Sequence, residues 1–167
     1  GNRVAIGAYD NDGNGSNAGH ARVYEYANDS WTQLGADIDG EAAYDGSGIS
    51  VSISSDGSKV AIGADKNDGN GSNSGHVRVY EYANDSWTQL GSDIDGEAAD
   101  DRSGNSVSIS SDGSRVAVGG FGNDGNGSAA GHVRFYEYAN GSWTQLGSDI
   151  DGEAENDNLG NSVSISS

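Results

Sequence analysis

Ile49-Ser50-Val51-Ser52-Ile53-Ser54-Ser55-Asp56-Gly57-Ser58-Lys59-Val60-Ala61-Ile62-Gly63-Ala64 decides the fold. Its first six residues alternate apolar and polar, the two-residue period that turns one side of a strand to a core and the other to solvent. Asp56-Gly57 then marks a two-residue hairpin, because glycine takes the positive φ such a turn needs. The run from Lys59 to Ala64 is the returning strand. Further along, the polar loop Asn67-Asp68-Gly69-Asn70-Gly71-Ser72 leads into His76-Val77-Arg78-Val79-Tyr80-Glu81-Tyr82. There Val77 and Val79 share one face, and Arg78, Tyr80 and Tyr82 share the other. Asn84-Asp85 makes a second tight turn, Trp87-Thr88-Gln89-Leu90 is a fourth strand, and the segment from Asp93 to Asn105 crosses to a further copy of the same pattern.

That pattern recurs every 56 residues: His20, His76 and His132 are so spaced, as are Trp31, Trp87 and Trp143. Aligning the first 55 residues with the copies that start at Gly57 and Gly113 leaves 38 positions identical in all three. A period this long signals a solenoid, propeller or array, whose units bury their cores only against neighbours. Four antiparallel strands per unit match a propeller blade, whereas a β-helix needs shorter, parallel rungs. The expected fold class is therefore all-β, a β-propeller-type repeat of four-stranded antiparallel blades in three 56-residue repeats. The chain is cut circularly, so that one blade is split between the termini. Residues 1–47 hold strands two to four of the split blade plus a crossover, 48–103 and 104–159 are complete blades, and 160–167 supply the first strand of the split blade.

The 167 residues carry 8 Lys+Arg against 26 Asp+Glu, a formal net charge of -18, with 28 Gly and no Cys, Pro or Met. Such a charge excludes nucleic acid as a partner, because phosphates are neutralised by Lys and Arg. No run approaches the roughly 20 apolar residues of a membrane span, so membrane insertion is not expected. Without cysteine there is no disulfide framework.

Gly75-His76-Val77-Arg78-Val79-Tyr80 and its two equivalents resemble the third strand of the FG-GAP repeat family, the blades of integrin-like β-propellers. Ser47-Gly48, Ser103-Gly104 and Leu159-Gly160 stand where that family has Phe-Gly. Gly7-Ala8-Tyr9, Gly63-Ala64-Asp65 and Gly119-Gly120-Phe121 stand where it has Gly-Ala-Pro. The resemblance spans the chain and implies an extracellular or cell-surface propeller used in adhesion and recognition. Family members of the integrin type bind calcium in the first hairpin, but Ser55-Asp56-Gly57-Ser58 is too short to wrap a cation.

A different loop carries the candidate metal ligands. Asp37, Asp39, Glu41 and Asp45 recur as Asp93, Asp95, Glu97 and Asp101, and again as Asp149, Asp151, Glu153 and Asp157. Carboxylates at alternate positions around a glycine turn can converge on calcium, which takes six to eight oxygens; the alternative is a solvated crossover whose acids cap turn amides. Asn14, Asn70 and Asn126, with Asn28, Asn84 and Asn140, open Asn-x-Ser triplets, candidate glycosylation sites on exposed loops. His20, His76 and His132 have no Ser or Cys nucleophile at a recognisable spacing. Near-identical repeats give copies of one environment, whereas acid–base catalysis needs environments that push pKa values apart, so no catalytic residue and no enzyme activity are expected.

The functional expectation is a non-enzymatic extracellular structural or adhesive repeat protein that self-assembles through its blade edges into a filament, array or closed multi-chain propeller. Its alternative is a carbohydrate- or protein-recognising propeller, a lectin-like adhesin. The partners expected are copies of the chain itself, with glycans or cell-surface ligands as further ones.

Overall fold

The computed structural model describes residues 1–166, and every described element is a β-strand. The first sheet contains β1 (Arg3–Ala8), β2 (His20–Ala27), β3 (Ser30–Gln33) and β4 (Ile38–Asp39). The second contains β5 (Ser50–Ile53), β6 (Lys59–Ala64), β7 (His76–Ala83), β8 (Ser86–Gln89) and β9 (Ile94–Asp95). The third repeats it as β10 (Ser103–Ile109), β11 (Arg115–Gly120), β12 (His132–Ala139), β13 (Ser142–Gln145) and β14 (Ile150–Asp151). All pairings within the sheets are antiparallel, and the order β5-β6-β7-β8 is chain order, as hairpin connections require.

The crossover carries a strand the periodicity does not announce. In β9, Ile94 and Asp95 pair with Val77 and His76, beside β8 on the same edge of β7. The four-stranded unit is thus a sheet of four strands and a two-residue fifth. Of residues 160–167, expected as the first strand of the split blade, 160–166 have no strand assignment and Ser167 lies outside the described residues. Its Ile165 amide nevertheless donates to Ser108 Oγ at 3.1 Å, as the Ile109 amide donates to Ser52 Oγ at 3.0 Å.

The core lies between sheets. Ala21, Val23 and Ile38 of the first meet Val60 and Ile62 of the second; Ala61, Val77, Val79 and Ile94 of the second meet Val107, Ile109, Val116 and Val118 of the third. Burying a Val or Ile side chain is worth about 1.5–3 kcal/mol, so each junction is held by a thin layer of small aliphatics. Val60, Ile62, Val77 and Val79 are buried as their alternation predicts, but Val51, Ile53, Trp87 and Leu90 are only half-buried. For Val51 and Ile53 the reason is local: the first sheet has no described strand equivalent to β5 to cover them, whereas Val107 and Ile109 of β10 have β5 itself beside them.

At the rim, aromatic residues lock the junctions. Trp87 Nε1 donates to the Leu34 carbonyl of the preceding sheet at 2.8 Å, and Trp143 Nε1 donates to the Leu90 carbonyl at 2.7 Å. The residue after each acceptor is glycine, Gly35 or Gly91, and a Cβ there would stand 2.9 Å from the Trp Cδ1.

The Asp-Gly hairpins are cross-braced by their acids. Asp56 accepts hydrogen bonds from the Ser58 amide at 2.9 Å and from Ser54 Oγ at 2.7 Å, and Asp112 accepts from Ser114 and Ser110 in the same way. These bonds hold both carboxyls below their ordinary value, the Ser58 amide first for Asp56 and the Ser110 hydroxyl first for Asp112. A depressed folded-state pKa stabilises the fold above the unfolded value of 3.8 and loses that stabilisation as pH falls below it. In Asp56→Asn/Asp112→Asn the acceptor oxygen remains and the charge does not. Urea unfolding at about pH 5 and about pH 2.5 should show the double variant losing less stability on acidification than the parent. Equal losses would mean the hairpin acids take no part in acid sensitivity.

Candidate functional site

Strand β7 brings the chemistry to the junction between the first two sheets. Its alternation sends Val77 and Val79 into the core and leaves His76 and Arg78 two residues apart on the opposite face. Arg78 binds Asp93 bidentately, Nε to Oδ1 and Nη2 to Oδ2, both at 2.9 Å, and Gln89 Nε2 donates to Asp93 Oδ1 at 2.6 Å. From the preceding sheet's crossover, Glu41 also pairs with Arg78. His76 Nδ1 lies 3.6 Å from Asp93 Oδ2 and 3.9 Å from Glu41 Oε2.

The next junction repeats the constellation. Arg134 pairs with Glu97 and with Asp149, Gln145 binds Asp149 at 2.6 Å, and His132 Nδ1 lies 3.5 Å from Asp149 Oδ2. In the first sheet, His20, Arg22, Gln33 and Asp37 make the same contacts without a preceding glutamate among the described residues.

The ionisation of the site follows from its burial and pairing. Burial pushes His76 below its ordinary value, Arg78 adds to that, and the carboxylates only partly oppose them, so the ring is neutral near pH 7. Burial would raise Asp93, but hydrogen bonds from Arg78 and Gln89 outweigh it and hold the carboxyl low. Burial would likewise lower Arg78, yet the bonds it donates to Asp93 and Glu41 raise it. The junction between the first two sheets therefore holds one guanidinium, two carboxylates and a neutral imidazole.

The twelve acids expected to bind calcium in sets of four do not converge that way. Asp37, Asp93 and Asp149 are committed to Arg22, Arg78 and Arg134. Asp39, Asp95 and Asp151 end the short strands β4, β9 and β14. Glu41 and Glu97 reach into the following sheet, while Glu153 is exposed. Asp45, Asp101 and Asp157 accept from turn amides of Ala42, Ala98 and Ala154, and Asp45 and Asp101 also accept from Asn67 and Asn123 of the next repeat. What does converge is His20 with Asp37 and Asp39, Glu41 with His76 and Asp93, and Glu97 with His132 and Asp149, each set having ligand atoms within 4.8 Å of one another. The sequence carried one signal for this: a His-x-Arg pair followed, 15 residues after the Arg, by an Asp in every repeat.

The candidate glycosylation sites fall into two groups. Asn14, Asn70 and Asn126 donate their side-chain amides to the carbonyls of Gly40, Gly96 and Gly152 at 2.7–2.8 Å, bonds that hold the acidic turns. Asn28, Asn84 and Asn140 are exposed in hairpin turns with φ of 52°, 51° and 54°.

No protein-family profile and no curated protein match the chain. Its fold is similar to solved structures of a proposed 6-phosphogluconolactonase from Bacteroides fragilis (TM-score 0.54, 14% identity, 81% of this chain and 35% of that one) and of another from Bacteroides uniformis (TM-score 0.53, 16% identity, 85% and 39%). The chain thus spans little more than a third of the length of these proteins, and the likeness shows a β-propeller-like all-β fold. It corrects the expectation of a non-enzymatic extracellular adhesive protein that self-assembles through its edges. The neighbours of this architecture are named as enzymes, so repeated blades of this kind do not by themselves imply adhesion.

Proposed function

We propose that the three sheets are successive blades of a propeller, each a 56-residue repeat, and that the protein binds a divalent cation at the junctions between blades. The observation that carries this reading is the Glu41–His76–Asp93 set. It is assembled from two sheets, is repeated at Glu97–His132–Asp149, and holds two carboxylates against one guanidinium. An excess of negative charge beside a neutral imidazole attracts a cation, and the chain's net charge of -18 supplies a long-range field of the same sign. Calcium, the ion expected from the crossover acids, is one member of the class tested.

Thermal unfolding of the full chain in chelator, then in calcium, magnesium, manganese or zinc at fixed ionic strength, tests the reading. At least one ion should raise the transition, by about 2.7 kcal/mol at a hundredfold excess over its dissociation constant. A melting curve unmoved by every ion overturns it.

The names of the two structural neighbours favour a second reading, opening of a sugar lactone. Against it stand the burial of all three imidazoles and the commitment of Arg78 and Arg134 to carboxylates, which keep these rings and guanidiniums from a substrate. Acid release from a gluconolactone above the buffer rate, lost in His76→Gln, would favour hydrolysis over cation binding alone.

A further inference from the structure

We infer that Glu41, His76 and Asp93, and in parallel Glu97, His132 and Asp149, form nitrogen-and-oxygen sites for a first-row transition ion of the zinc type rather than for calcium. The inference rests on the junction-binding reading and names the ion class of the same site.

The imidazoles carry it. The His76 and His132 side chains are only 4% and 2% exposed, and the Nδ1 atom of each is buried without a hydrogen-bond partner. A buried polar atom left unpaired keeps the full cost of its desolvation. Neither tautomer removes that cost. With its proton on Nδ1, His76 has its nearest acceptor at 3.6 Å, beyond hydrogen-bond range. With the proton on Nε2, a lone pair faces carboxylates. A cation between the ring and the acids resolves both cases.

The spacing fits such an ion. Ligands at about 2.0–2.2 Å from a tetrahedral zinc-type centre are about 3.3–3.6 Å apart. The Nδ1–carboxylate separations are 3.6 Å for His76 to Asp93 and 3.5 Å for His132 to Asp149, while Glu41 stands farther off at 3.9 Å and Glu97 within 4.8 Å of its two companions, each to close in on the ion. Imidazole with carboxylate is the donor set of zinc, cobalt, nickel and manganese, whereas calcium takes oxygens alone. Gln89 and Gln145, each 2.6 Å from the ligating aspartate, fix its orientation as an outer shell does. The arginines share the same carboxylates, so the ion binds beside a guanidinium rather than displacing a free acid's solvent. Because the glutamate comes from one sheet and the His and Asp from the next, the ion bridges two sheets.

Zinc chloride titrated into the full chain labelled with 15N-histidine tests this. The Nδ1 resonances of His76 and His132 should shift on binding one zinc per junction and stay shifted in excess calcium. His76→Gln/His132→Gln should weaken zinc binding more than about tenfold, since losing even an outer-shell partner costs about 10–100-fold. Calcium bound with no imidazole shift would overturn the zinc-type assignment and leave the junction-binding reading standing. Binding of neither ion would overturn the zinc-type assignment, and if magnesium and manganese also leave the melting curve unmoved the junction-binding reading falls with it, leaving the gap to a bridging water. Should the double variant fail to fold, the parent's imidazole shifts alone decide.

Discussion

Replacing Gly75 by alanine should cost roughly 2–6 kcal/mol, a large part of a net stability of about 5–15 kcal/mol. Gly75 immediately precedes His76 and has φ +72°, the left-handed region that a side chain strains. A Cβ there would overlap the Ser103 carbonyl oxygen of the following segment and lie 2.7 Å from its nitrogen. Neither segment is free to move: the Ser103 amide donates to the Ser74 carbonyl at 3.0 Å. The Gly75 amide donates to Asn67 O at 2.9 Å, its carbonyl accepts from the Gly96 amide at 2.8 Å, and Gly75 forms a parallel bridge to Ser103. The cost therefore has two parts: about 1–3 kcal/mol for the backbone conformation and about 1–3 for displacing packed main chain. Gly141→Ala separates them, because Gly141 has φ +84° but nothing within 4 Å of its added carbon. Urea unfolding of both variants should show Gly141→Ala losing only the conformational part. Equal losses would mean that the approach of the Ser103 segment contributes nothing.

Much of this arrangement was legible in the residues, and what was not has identifiable causes. Alternation from Ile49 to Ser54 beside Asp56-Gly57 located the hairpin, and Lys59 to Ala64 forms β6 at the bounds read from the sequence as the returning arm of that turn, although five of its six residues are buried and do not alternate. The strand Ile94–Asp95 escaped because two residues have no period. Burial was overstated at Val51 and Ile53 because alternation reports which face of a strand is apolar, not whether a neighbouring sheet covers it. The candidate site was half visible. His76, Arg78 and Asp93 recur in register, but nothing in a repeat says that Glu41 of one copy serves His76 of the next. The crossover acids read as one cation loop because spacing cannot show that Asp93 is taken by Arg78 and Asp101 by turn amides. Function is the least legible, since adhesion rests on architecture and a resemblance in the third strand, and one architecture serves many activities.

The three tryptophans test whether the sheets are held mainly by their junctions. Each packs, tilted by 47–50°, against a tyrosine of its own sheet: Trp31 on Tyr26 at 5.2 Å, Trp87 on Tyr82 at 5.0 Å and Trp143 on Tyr138 at 5.1 Å between ring centroids. Only Trp87 and Trp143 also reach a preceding sheet, through the Nε1 bonds to Leu34 and Leu90 and the seats over Gly35 and Gly91. Trp31 is 53% exposed. Truncating a core Trp costs about 3–5 kcal/mol, and the half-buried positions of Trp87 and Trp143 bring the expected loss to about 2–3 kcal/mol each. Trp31→Ala keeps every junction and should lose about 0.5–1 kcal/mol, the worth of an aromatic pair. Trp87→Phe keeps the apolar ring and removes the donor, so it should fall between the two, near the roughly 1 kcal/mol of a single hydrogen bond. Chemical unfolding followed by circular dichroism at a fixed cation concentration orders the four variants. If Trp31→Ala costs as much as Trp87→Ala, the tryptophans act within their own sheets, and the rim contributes little to holding one sheet on the next.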